Sequence, residues 1–141
     1  MSTKASVLAD RPFRFRLDLR SGVPVYRQLI DQVLVAISSG TLTPGDRLPT
    51  VRQVAVDLSI NINTVVRAYK ELEIRGILLT QQGTGTFITD QEVRPDEAER
   101  QRRLSQLVGD MLARAGSDGF TLADVRRALD DVAPDNDRKR R

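Results

Sequence analysis

Cysteine, histidine and tryptophan are all absent from these 141 residues, and aromatic side chains make up only 4% of them. Without cysteine there is no disulfide framework, which fits a cytoplasmic address. Without histidine, His- or Cys-ligated metal sites, Ser-His-Asp triads and Cys-His pairs are excluded. An enzyme built here would have to work with carboxylates, lysine, tyrosine or serine alone, and no metal or cofactor is expected. The shortage of aromatics leaves an aliphatic core. No apolar run approaches the ~20 residues of a membrane span, and the opening MSTKASVLADRP carries no apolar signal segment.

What is present is the composition of a soluble globular protein, 40% hydrophobic and 29% charged, long enough for one domain with an appendage. The net charge of +3 is unevenly placed. Residues 1–40 carry six basic and three acidic side chains, residues 41–90 carry five of each, and residues 91–141 carry eleven of each. Solubility and phosphate binding explain such a pattern equally well. Spacing has to decide.

Residues 13–19, FRFRLDL, alternate strictly, with Phe13, Phe15, Leu17 and Leu19 on one face, and predict a half-buried strand. A helix follows from Pro24, a residue suited to a first helical position, with Val25, Leu29, Ile30, Val33, Leu34 and Ile37 at helical spacing and a stop at Gly40. Pro44-Gly45 makes a turn. Thr50 and Gln53 form a capping-box pattern for a second helix, short and ending near Ser59, with an apolar stripe of Val51, Val54, Ala55 and Leu58. In the third helix Asn61 suits the N-cap, Val65, Ala68, Tyr69 and Leu72 form the buried stripe, and Gly76 ends it. Strands at 77–81 and 86–89 flank the turn Gln82-Gly83-Thr84-Gly85. Beyond Asp90, Pro95 opens a charged helix whose Leu104, Leu107, Val108, Met111, Leu112 and Ala115 recur every three or four residues, and Thr121 caps a last helix. Four regions follow: a flexible N-terminus at 1–12, a domain at 13–90, a helical region at 91–133 and a disordered basic tail at 134–141.

Three helices and a hairpin, the second and third helices joined by a tight turn, are the order of a winged helix-turn-helix, mainly α with a small β wing. In such proteins the second helix of the pair puts its N-terminal residues against base edges in the major groove. That accounts for an otherwise odd helix start, NINTVVR, with small amides, a hydroxyl and a single arginine. The outward residues Ile62, Asn63, Val66, Arg67 and Lys70 include no acid. Asn63 suits an adenine edge, Ile62 or Val66 suits thymine methyls, and Arg67 is long enough for a guanine or a phosphate. The first-turn amides and the positive dipole end favour phosphates.

The run LPTVRQVAVDLSININTVVRAYKELEIRGILLTQQGTGTFIT resembles the DNA-binding domain of GntR-family bacterial transcription regulators. The upstream SGVPVYRQLIDQV and the two-helix C-terminal region are similar to the YtrA-like branch in particular. The resemblance covers roughly residues 17–132, with the segments L-P-x-x-R, N-T-V-x-R-x-Y-x-x-L and G-x-G-T-F in order. It implies a homodimeric winged-helix repressor, of a branch in which many members are encoded beside membrane-transporter genes, and a two-fold dimer is expected to prefer an inverted-repeat operator. It also implies Arg52 as a DNA contact, Asn61, Asn63 and Thr64 at the start of the recognition helix, and Gly83 to Gly85 at the wing tip. The DNA-contacting set expected is thus Thr50, Arg52, Asn61, Ile62, Asn63, Thr64, Arg67, Lys70, Gly83, Thr84 and Gly85. The chain departs from the pattern at Ile62, where many members have arginine, and at Gln82 and Thr84, where basic wing residues are common. The wing is therefore expected to add little phosphate attraction.

Simpler readings compete at several of these positions. Asn61 serves as a cap wherever it occurs, and Gly83-Thr84-Gly85 alone is a hairpin turn, since neither its spacing nor a following helix fits a phosphate-cradling fingerprint. The stripe of Leu104, Leu107, Val108, Met111 and Leu112 is either local packing or a dimer interface. Two short helices bury little on their own, which favours the interface. Residues 92–133 are too few for an obvious enclosed pocket, which leaves two alternatives for a small-molecule effector: a site at the dimer interface, or no effector at all. The rival classes are an enzyme, for which no convergent titratable set exists, and a winged-helix protein-interaction module without DNA readout. The latter would show acidic or apolar residues outward on the third helix.

Overall fold

A computed structural model describes residues 13–90 and 96–132, and two units divide the chain, Met1–Gln91 and Glu92–Arg141. The expected flexible N-terminus at 1–12, the helix-opening Pro95 and the basic tail at 134–141 lie outside the described residues.

In the first unit, helix α1 spans Val25–Ser38 and buries Leu29, Ile30, Val33 and Ala36. Pro24 occupies its N-cap and not its first turn. The capping box is realised before α2, Val51–Leu58: the Thr50 hydroxyl accepts from the Gln53 amide at 3.1 Å, and Gln53 Oε1 accepts from the Thr50 amide at 2.9 Å. Ser59, in the left-handed region at φ 54°, turns the chain towards α3, Ile62–Ile74. Asn61 caps α3 by accepting from the Asn63 amide at 2.8 Å. Gly76, at φ +76°, lets the chain reverse where a Cβ would be strained.

The wing has three strands where the sequence predicts two. Strands β2, Leu78–Gln81, and β3, Gly85–Ile88, pair antiparallel as expected. β3 also pairs with β1, Arg47–Leu48, to give the order β1-β3-β2. Two residues are too few to show a period-2 pattern, so β1 is invisible to periodicity. Its entry turn is fixed by buried Asp46, whose carboxylate accepts from the Thr43 amide at 2.6 Å and the Thr43 hydroxyl at 2.9 Å.

Residues 13–19 do not form a strand. Phe15 is buried and Phe13 and Leu17 are half-buried, as the alternation requires, but no strand pairs with them and Leu19 is exposed. Glutamine side chains from α1 take the place of a neighbouring strand. The Arg16 amide donates to Gln32 Oε1 and the Asp18 amide to Gln28 Oε1, each at 2.8 Å, while both side-chain amides donate back to the carbonyls of Arg16 and Asp18. Gln28 and Gln32 are four residues apart on one helix face, a spacing that matches alternate residues of an extended chain closely enough for both to bond.

The core of this unit joins Leu29, Ile30 and Val33 of α1, Val54 of α2, Val65, Ala68 and Leu72 of α3, and Leu48, Leu78 and Ile88 of the sheet. Each fully buried aliphatic side chain contributes roughly 1.5–3 kcal/mol of transfer free energy. Tyr69 is the core's polar edge. Burial pushes its phenol above the ordinary range, so it stays protonated and donates to the Pro49 carbonyl at 2.6 Å. That bond ties α3 to the turn before α2.

The second unit consists of α4, Glu97–Ser117, and α5, Leu122–Val132. Asp96 caps α4, accepting from the Ala98 amide. Thr121 and Asp124 exchange a reciprocal pair of bonds, at 2.9 and 3.1 Å, that caps α5. Neither helix has a buried residue.

Candidate nucleic-acid interface

The first turn of α3 is exposed, capped and free of acidic residues. The Asn61 side chain is consumed by the cap, so its structural role is met without any ligand. Asn63 contributes only its backbone amide to that cap, and its exposed side chain makes no hydrogen bond to another described residue. Ile62 and Val66 are exposed on the same helix, whereas Thr64 is half-buried. An amide flanked by two branched apolar side chains has the groups needed to read an adenine edge and adjoining thymine methyls.

Between α3 and the wing runs an open groove of about 580 Å³. Val66 and Lys70 line it from α3, Thr50 from the start of α2, and Gly83, Thr84 and Gly85 from the hairpin. The structure therefore brings five of the expected contact residues, Thr50, Lys70, Gly83, Thr84 and Gly85, to one surface feature. Gly83 and Gly85 have φ of +79° and +133°, which accounts for glycine at both positions of the turn. The acidic side chains of α3 are both engaged: Glu71 pairs with Arg75 at 2.7 Å, and Glu73 accepts from the Thr80 hydroxyl of β2. The second bond ties the wing to the helix it flanks.

Arg52 and Arg67 do not line this groove. Arg52 is exposed on α2, one residue past the first position of that helix. The guanidinium carbon of Arg67 lies 3.8 Å from the ring centroid of Tyr26, in the first turn of α1. A cation over an aromatic face gains roughly 0.5–1 kcal/mol at an exposed site. The stacking fixes one face of the guanidinium and leaves its edge, where all the N–H donors lie, open.

Two residues of this surface escape the sequence pattern. Tyr26 was not separable from an ordinary half-buried helix residue, because its link to Arg67 joins positions forty-one apart. Arg47 also lines the groove, from β1, and carries the positive charge that the hairpin itself lacks. The described residues of the first unit hold nine basic and seven acidic side chains and those of the second hold six and eight, so the positive balance is on the unit with the groove. On α4, Leu104, Leu107, Val108 and Met111 are all exposed and Leu112 is half-buried; Phe120, Leu122 and Leu129 are exposed as well.

Residues 25–88 match the family of bacterial regulatory proteins called gntR. The chain is 41% identical over 120 residues to an HTH-type transcriptional regulator of Mycobacterium tuberculosis, a match spanning 85% of this chain and 94% of that protein. It is 45% identical over 75 residues to the HTH-type transcriptional repressor YtrA of Bacillus subtilis, spanning 53% of this chain and 58% of that protein. Among solved structures it is similar to a GntR family transcriptional regulator from Listeria monocytogenes, with a TM-score of 0.56 and 29% identity over 82% of this chain and 98% of that one.

Proposed function

The chain belongs to the GntR family of bacterial regulatory proteins, DNA-binding winged-helix transcription regulators and not enzymes, and from that premise we propose that it acts as a homodimeric repressor on an inverted-repeat operator. The observation that carries the DNA contact is the exposed, acid-free first turn of α3 beside a groove lined by Lys70 and the glycine hairpin. Repression is supported by the similarity to a relative that is itself a repressor. Dimerisation is supported by the apolar residues of α4 and α5, none of them buried within the chain. A two-fold dimer presents two copies of α3 in opposite senses, so the operator is an inverted repeat with half-site centres about one helical turn, ~10 base pairs, apart. Membrane-transporter genes are the target class that the YtrA-like resemblance implies, and a small-molecule effector would act at the dimer interface.

Selection of bound sites from a random DNA library at physiological salt tests this reading, followed by the same selection with Asn63→Ala. The expected result is a two-fold symmetric site with an adenine in each half that loses its preference in the variant. Sites without two-fold symmetry would overturn the dimer on DNA. Unchanged base choice by Asn63→Ala would remove that residue from the readout. Binding that is insensitive to salt would instead favour the protein-interaction class, since phosphate contacts weaken steeply as salt rises.

A further inference from the structure

We propose that Arg47 is the phosphate clamp of the wing, held in place by its passage across Gly85. The inference rests on the DNA-binding reading above and locates a contact in it. The hairpin has Gln82 and Thr84 where a basic tip would supply attraction, which left the wing electrostatically thin. The missing charge comes from another strand. Arg47 pairs with Phe87 across β1 and β3, which makes Gly85, two residues earlier on β3, its diagonal neighbour on the same face. Diagonal neighbours of this kind are within reach of a long side chain.

The contact is close. A Cβ placed on Gly85 would lie 2.7 Å from Arg47 Nε and 3.2 Å from both Cζ and one terminal nitrogen. Glycine at 85 thus has a second cause beside its φ of +133°: it leaves room for the guanidinium to cross the wing. Gly83, in the same turn, has open space where its Cβ would be and serves the turn alone. Arg47 is exposed and lines the groove with Lys70 and Thr84. Its charge meets no carboxylate partner among the described residues. The ion pairs among the described residues join Glu71 to Arg75, Glu99 to Arg102 and Arg103, and Asp124 to Arg127, and none involves Arg47. A guanidinium unpaired among the described residues, laid against a glycine and open to a groove has its donor edge ready for a phosphate oxygen. With Lys70 on the α3 side, the groove presents two cations against one carboxylate, Glu73, which also lines it and accepts from the Thr80 hydroxyl.

The test uses the full chain and a mixed-sequence DNA duplex of about 30 base pairs, because phosphate attraction is independent of sequence. Affinity is measured against salt for wild type, Arg47→Ala, Arg47→Lys, Gly85→Ala and the double variant Arg47→Ala with Gly85→Ala. Arg47→Ala is expected to lower the slope of log affinity against log salt by about one unit, and Arg47→Lys to restore most of it. Gly85→Ala should weaken wild type several-fold, through displacement of that side chain and through strain at φ +133°, and its cost should shrink once Arg47 is gone, because only the strain is left. Circular dichroism of each variant establishes that the wing and helices are folded. An unchanged slope in Arg47→Ala, or full additivity of the two substitutions, overturns the clamp. Failure of the wild type itself to bind duplex DNA overturns the underlying reading instead, so the two failures are distinguishable.

Discussion

Leu72 of α3 and Leu107 of α4 are the same residue type on apolar stripes of the same helical spacing, yet the first is fully buried and the second is 67% exposed. The stripe pattern alone does not distinguish them. The first unit has three helices and a sheet around one set of side chains, so each stripe finds a partner inside the chain. The second has two helices, and every apolar residue at 104, 107, 108 and 111 remains open to solvent. A small helical hairpin with an unburied stripe is stable only when another surface covers it. The comparison separates a unit that buries its own stripes from one whose stripe would be covered by the proposed dimer.

The largest effects should come from the stripes themselves. Leu72→Ala should cost about 2–5 kcal/mol in denaturant unfolding, the range for a fully buried leucine. Leu107→Ala, measured at concentrations where the chain is monomeric, should change stability by less than about 0.5 kcal/mol, as a surface site does. Equal costs in the monomer would erase the contrast. In the dimer the order changes: Leu107→Glu with Met111→Glu should abolish self-association in sedimentation at micromolar concentration while leaving the first unit folded. Dimers that survive both charges would place the interface elsewhere.

Next in size is DNA affinity, for which the direct contacts are expected on the first unit. Arg67→Ala should weaken binding to the selected site by about 1–3 kcal/mol if Arg67 meets a base, or lower the salt slope by about one unit if it meets a phosphate. Tyr26→Ala should lose a smaller amount, roughly 0.5–1 kcal/mol, and Tyr26→Phe should lose little, because phenylalanine keeps the ring face on which the guanidinium rests. Equal losses for Ala and Phe would assign Tyr26 a role through its hydroxyl.

The smallest contrast is in pH. The Tyr69 phenol has its pKa raised by burial. Its contribution is therefore complete below the unfolded value of about 10 and is lost as pH rises above it. Asp124, in the second unit, has a carboxyl held below the ordinary range by hydrogen bonds from the Thr121 amide, then by the Thr121 side chain and Arg127. Its contribution is present above the unfolded value of about 3.9 and is lost as pH falls. Base should loosen α3 first and acid should fray α5 first, as read by hydrogen exchange at single amides.

Local rules made much of this fold readable. The capping pairs Thr50–Gln53 and Asn61, the stripe of α3 and the stop at Gly76 all depend on residues within a few positions of one another, and all are as the pattern implies. What escaped depends on contacts between distant segments. The alternation separated inner from outer faces at 13–17 but failed at Leu19, which is exposed, and could not show that Gln28 and Gln32, not a strand, satisfy the backbone. β1 is too short to have a period. On the candidate interface, Lys70, Thr50 and the hairpin glycines do share a groove, but the stacking of Arg67 on Tyr26 and the crossing of Arg47 over Gly85 are made only by folding. Gln82 and Thr84 in the hairpin argue for a wing with little charge, because the arginine concerned is thirty-five residues before Gln82.

Amide chemical shifts of the labelled full chain, titrated with a duplex carrying the selected site, test the division of labour most directly. The account predicts that perturbations concentrate at residues 61–70 and 82–85 with Arg47, while the exposed stripe of α4 at 104–111 shifts no further once the dimer is formed. Perturbations concentrated on α4 and α5, with the first turn of α3 unmoved, would contradict it.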